Sequence, residues 1–181
     1  MYGWRALLGM IMLSGGPVSL EEYRMALPAG VSLVNTRLFI DEVSPEGVER
    51  MLSQIERGAR EIAVMKPDCV VFCGTPAGFV KGHAFNQQLI GLIREVSGLP
   101  STTIASAVVD ALRHLKVRRI GVATAYIDEL NDLLRAFLEE AGFEVLAIKG
   151  LRQRFKLGHP PHASGGRLPA GQGGRPGSRR R

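Results

Sequence analysis

At 181 residues the chain has room for one ordinary domain, or one domain and part of a second, and enough length to bury a core. Apolar residues at 45% and charged residues at 22% are ordinary values for a globular protein, and no apolar run approaches the ~20 residues of a membrane helix. The net charge of +6 is uneven: residues 152–181 hold eight Lys and Arg and no acid, which leaves 15 basic against 17 acidic residues in 1–151 and argues against a nucleic-acid surface on the folded part. In chain order, ALLGMIM (6–12) is a continuous apolar run, as expected of a strand covered on both faces, and the SGGP after it reads as a loop rather than a secretory cleavage site. Ser19 to Glu22 form a capping box that opens a short helix. VSLVNTRLFI (31–40) reads as a second strand. Ser44, Pro45 and Glu46 supply a cap, a first-turn proline and an acid at the positive end of a helix. Val48, Met51, Leu52, Ile55, Ala59 and Ile62 then make one apolar face at helical spacing.

CVVFC (69–73) is the third strand, and 74–84 reads as a loop. A helix follows from about Phe85 to Ser97, stopped by Gly98, and STTIA leads into another over 105–115. RRIGVAT (118–124) is a strand, Ile127 to Ala141 an amphipathic helix closed by Gly142, and FEVLAI (143–148) a sixth strand. This alternation predicts an α/β fold, a parallel sheet flanked by helices. In such sheets ligands sit at the carboxyl ends of the strands, which points to the loops 13–18, 74–84 and 124–128. Gly9 and Gly121 each lie inside a strand that ends in a polar loop before an amphipathic helix. That echo suggests a related second unit beginning near residue 117. The expected organisation is a first α/β domain over 1–116, the start of a second over 117–151, and a basic tail over 152–181. The tail is rich in Gly, Pro and Arg, has no apolar periodicity and is expected to be disordered, the truncated or frame-shifted end of a GC-rich gene.

Cys69 and Cys73 lie four apart on one strand, with Cα atoms roughly 13 Å apart at strand rise, too far for a disulfide. No metal-ligand spacing accompanies them, so a reducing, cytoplasmic compartment fits. His83 is placed near the 74–84 loop, His114 at a helix end on the surface, and Lys81 where it would attract an acidic substrate or simply be solvated.

WRALLGMIMLSGGP, GTPAGFVKGHAFN (74–86) and SGLPSTTIASAVVDALRHLKVRRIGVATAYIDELND (97–132) resemble the aspartate/glutamate racemase superfamily, in the branch of the arylmalonate decarboxylases and maleate cis-trans isomerases. The resemblance covers 4 to about 151. It implies the first half of a two-domain, pseudo-symmetric fold with the active site between the halves, no metal and no organic cofactor, and carbon-acid chemistry on a small di-acid. The reading is decarboxylation of a substituted malonate through an enediolate, with the chain expected to be an incomplete copy; the alternatives are a maleate cis-trans isomerase or amino-acid racemase, or a non-catalytic carboxylate-binding fragment.

The residues suit that chemistry. Charge that develops on an enediolate is stabilised by donors aimed at its oxygens. The resemblance places Thr75 and Tyr126 in such a dioxyanion hole as the catalytic donors, with Gly74, Pro76, Gly15 and Gly16 as substrate-binding positions. Gly74 is expected to let a ligand approach the backbone. Pro76 stands where the decarboxylases carry a Ser, and so lacks both a hydroxyl and an N–H. The isomerases carry a Cys at the position of Gly74. Cys73, one residue earlier, points to the other face of an extended strand and is the weaker candidate, expected in the core. Both branches place an essential Cys in the second half, and the resemblance stops before it.

Overall fold

The computed structural model describes residues 3–15, 19–40 and 45–151. The expectations for Gly16, for the Ser44 cap and for the 152–181 tail fall outside them. Six strands and seven helices alternate among these residues: β1 (Ala6–Leu13), α1 (Ser19–Ala26), β2 (Val31–Leu38), α2 (Pro45–Leu52), α3 (Ile55–Val64), β3 (Cys69–Cys73), α4 (Thr75–Phe79), α5 (Gly82–Ser97), β4 (Ser101–Thr103), α6 (Ile104–His114), β5 (Arg119–Thr124), α7 (Asp128–Glu140) and β6 (Glu144–Gly150). The first four strands form one parallel sheet in the order β2-β1-β3-β4, and β5 and β6 form a second parallel pair. No helix among the described residues is long and apolar enough to cross a membrane.

The core of the first sheet follows from the apolar runs. Ile11, Val70 and Phe72 from the central strands are fully buried and meet Met51, Ile55, Ala59 and Ile62 from the predicted helical face, with Leu89 and Ile93 of α5. That face is carried by two helices rather than one. The chain breaks at Ser53 and Gln54, where the Gln54 amide accepts from Phe39 N at 3.0 Å and donates to Phe39 O at 2.9 Å. A side chain thereby pairs both backbone groups of Phe39, just past β2, and the apolar spacing continues across the break because α2 and α3 lie against the same sheet.

Two further elements depart from the sequence reading. The 74–84 loop contains α4, and α5 begins at Gly82 (φ +77°) rather than near Phe85. STTIA contributes β4, a three-residue edge strand paired to β3, and its Thr103 accepts from Ser106 N to cap α6. The expected stops hold: Gly98 and Gly142 take positive φ of 70° and 94° at the ends of α5 and α7.

The two strand glycines differ in physical cause. A Cβ on Gly9 would lie 2.7 Å from Pro67 Cγ, so close packing requires the glycine, whereas a Cβ on Gly121 would meet nothing within 4 Å. What the two regions share is topology, since β5 pairs in parallel with the next strand as β1 does with β2. A second apolar cluster joins the sheets: Phe79 of α4 with Ala105 and Val109 of α6, and Phe137, Leu138, Phe143 and Val145 of the α7–β6 segment.

Candidate active site

All strands of the first sheet run the same way, so their carboxyl ends share one edge. Met12 pairs with Cys73, so the chain leaves that edge side by side at the Ser14–Gly15 turn and at Gly74. Ser14 ties this edge together, its hydroxyl donating to Ile40 O at 3.2 Å and accepting from Ile40 N at 3.1 Å. Sequence reasoning did not single out Ser14; a small hydroxyl closing a buried strand is its only signal.

Gly74 caps α4 with φ −123°, a conformation open to any residue, so backbone strain does not explain the glycine. Space does. A Cβ there would lie 2.5 Å from Phe72 Cζ and 2.8 Å from Cε1, and that ring is fully buried. The open side of Gly74 thus faces a core ring, a different ground from the close approach of a ligand. Thr75 follows as the first residue of α4, and Pro76 occupies its first turn, where a missing N–H costs the helix nothing.

Tyr126 reaches the same place from the loop after β5. Its side chain and that of Thr75 line the same cavity. Burial pushes the phenol above its ordinary value, partly offset by the nearby Thr75 hydroxyl, so it stays protonated and able to donate at neutral pH. Thr75, Phe79, Val108, Val122, Tyr126 and Leu134 are among the residues around a cavity of about 360 Å³ whose wall is mainly apolar. That volume suits a small ligand, with a few polar groups to fix its orientation.

Lys81 is engaged elsewhere. It pairs with Glu49 and lies 4.9 Å over the Phe85 ring, in a groove between α2 and α5. His83 stacks on Phe137 with centroids 3.9 Å apart, and its Nε2 lies 2.9 Å from Phe137 O. Among the described residues no three His, Cys, Asp or Glu side chains cluster as a metal site.

Cys69 and Cys73 share the β3 face opposite Val70 and Phe72, and both are half-buried and free. Cys73 Sγ donates to Val71 O at 3.6 Å and lies near Tyr23 of α1. Burial pushes the thiol up to about 11, against the lowering effect of Tyr23; Tyr23 itself rises to about 12, through burial first and then Cys73. Both groups are neutral when protonated and hold their protons more tightly in the folded chain. The Cys73 contribution to stability is therefore complete below the thiol's ordinary 9.0 and lost as pH rises through about 11. Discounted for partial exposure, the loss is roughly 1–2 kcal/mol. Urea unfolding at about pH 8 and about pH 10.5 should show a smaller alkaline loss for Cys73→Ala than for the parent chain. Equal losses would remove Cys73 from this account.

Comparison with known proteins gives a consistent picture. The arylmalonate decarboxylase family model matches residues 9–154. An arylmalonate decarboxylase from Bordetella bronchiseptica is 42% identical over 119 residues, 63% of this chain and 50% of that protein. A maleate isomerase from Nocardia farcinica is 30% identical over 122 residues, 65% of this chain and 49% of that one. The crystal structure of a liganded double mutant of arylmalonate decarboxylase superposes with a TM-score of 0.75 at 34% identity, covering 81% of this chain and 62% of the other. The chain spans about half the length of the curated relatives it matches.

Proposed function

Because the chain belongs to the arylmalonate decarboxylase family, we propose that Thr75 and Tyr126 bind one carboxylate of a small di-acid and stabilise the enediolate formed when a substituted malonate loses carbon dioxide. The observation that carries this reading is that the two side chains, from the segments that follow β3 and β5, line one mainly apolar cavity. The retained carboxylate lies against the Thr75 and Tyr126 hydroxyls, and the departing one lies toward the apolar wall, where its charge is poorly solvated. The C–C bond breaks, carbon dioxide leaves, and the electron pair passes into the retained carboxyl group as an enediolate. Two fixed donors then face the oxygens on which charge has grown. The carbon next takes a proton. The family resemblance assigns that step to a thiol of a second half, and none of the described residues is assigned to it. Gly15 and Pro76 flank the same edge as substrate-binding positions, and no cofactor enters the scheme.

The maleate isomerase relatives make isomerisation the alternative at the same site. Gly74 favours decarboxylation, because the isomerases' Cys would need the space that Phe72 fills. The parallel pairing of β5 with β6 supports a second unit beginning near residue 117. Two free thiols support a reducing, cytoplasmic compartment.

Phenylmalonate and maleate, offered without any added cofactor, test the reading. Carbon dioxide and phenylacetate are the expected products of the first. Calorimetry should show Thr75→Ala weakening phenylmalonate binding by about 2 kcal/mol, the cost of one charge-assisted hydrogen bond. Unchanged affinity would take Thr75 out of the site, and binding without turnover would leave the chain a carboxylate-binding fragment.

A further inference from the structure

We propose that Asn131 is a positioning residue for Tyr126, acting together with Thr124; the inference rests on the reading of Tyr126 as a carboxylate donor. Asn131 lies on α7 and is 6% exposed. An amide buried to this degree is costly unless its groups are satisfied. Here it completes a ring of hydrogen bonds. Tyr126 N–H donates to Thr124 Oγ1 at 3.1 Å, the Thr124 hydroxyl donates to Asn131 Oδ1 at 2.6 Å, and Asn131 Nδ2 donates to Tyr126 O at 3.4 Å. The Thr124 hydroxyl has accepted one proton and must give its own, which fixes the orientation of the amide.

Both backbone groups of Tyr126 are therefore held by side chains, and the direction in which its own side chain leaves the loop is set before any ligand arrives. The amide does not cap its helix: the N-cap is Ile127, which makes no side-chain cap bond. β6 is shaped around the same ring, since a Cβ on Gly150 would lie 2.4 Å from both Asn131 Nδ2 and Tyr126 O. Three elements thus converge on the residue that meets Thr75.

Asn131→Asp keeps the acceptor for Thr124 and loses the donor to Tyr126. Thr124→Val removes the shared hydroxyl at nearly constant shape, and Thr124→Ser restores it. The readout is the pH titration of Tyr126 by NMR of ring-labelled tyrosine, assigned with Tyr126→Phe, with Tyr23 as internal control. Thr124→Val should move the Tyr126 titration down toward the ordinary tyrosine value, Thr124→Ser should return it, and Tyr23 should not move; Asn131→Asp is read by affinity alone, because its carboxylate raises a neighbouring phenol. Phenylmalonate affinity should fall about tenfold in the two disrupting variants. A folded Thr124→Val chain whose Tyr126 titrates as in the parent, with unchanged phenylmalonate affinity in both disrupting variants, would overturn the proposal. If Asn131→Asp does not fold, the Thr124 pair reads the same ring. A shifted Tyr126 in a chain that never binds phenylmalonate upholds the positioning role and sinks the proposed function instead.

Discussion

Replacing Phe79 by Ala is expected to cost about 3–5 kcal/mol, the range for deleting a buried aromatic ring. Phe79 is 1% exposed, and its ring centroid lies 5.8 Å from that of Tyr126 and 6.5 Å from that of Phe137. Phe137 in turn carries His83 of α5 stacked on its ring, with centroids 3.9 Å apart. The ring is thus the junction between α4, which holds Thr75, and the segment that holds Tyr126. Urea unfolding gives the total, and hydrogen exchange gives its distribution: amides of β5 and β6 should lose more protection than those of β1 and β3. A cost near 1 kcal/mol, spread evenly over both sheets, would mean that the sheets are held together by something else.

The second large effect is expected from Gly74→Cys. The new Cβ would stand inside contact distance of the fully buried Phe72 ring, so the ring or the α4 start must shift. Overpacking of this kind costs about 3 kcal/mol at its upper end. Phe72→Leu has its own cost, from lost ring burial, but removes the obstacle. In a double-mutant cycle the paired change should therefore be less destabilising than the sum of the two singles by about 1 kcal/mol or more. Additive costs would show that the ring yields freely. The result bears on chemistry, because it decides whether a thiol at this position is compatible with the core of this chain.

Much of the architecture was legible because it depends on local pattern. CVVFC coincides with β3, since an apolar run bounded by Asp68 and Gly74 leaves little freedom at either end. Gly98 and Gly142 were legible as stops because the positive φ they adopt is what ends a helix. The division of the 45–64 segment was not, because the apolar period runs through Ser53 and Gln54, and only the tertiary demand of Phe39 reveals the break. α4 was hidden by Pro76 and Gly78, residues that read as loop, although a first-turn proline is tolerated and Gly78 lies where a Cβ would touch Ala105 at 2.7 Å.

Within the candidate site, Thr75 and Tyr126 carried no mutual spacing that chemistry alone could read; they were named through the family resemblance. Their meeting at one cavity is a product of the way α4 and the β5 loop pack. Asn131 was invisible for a related reason. An asparagine in the second turn of an amphipathic helix reads as polar face, and its burial depends on Gly150 and Thr124, which lie on two strands.

The small second sheet has a consequence for the behaviour of the chain in solution. Among the described residues β5 has β6 on one side and no strand on the other, and Gly121, Ala123, Leu146 and Ala147 are exposed on the pair. A row of open peptide groups next to small and apolar side chains is a template for any extended segment that drifts past, including one from another copy. Wherever that edge stays open, association would rise with concentration independently of folding stability, and a substitution that raises the unfolding free energy would not suppress it. The remedy lies in charge: a Lys on the exposed side of β5 would discourage recruitment by repulsion without touching the core or the cavity.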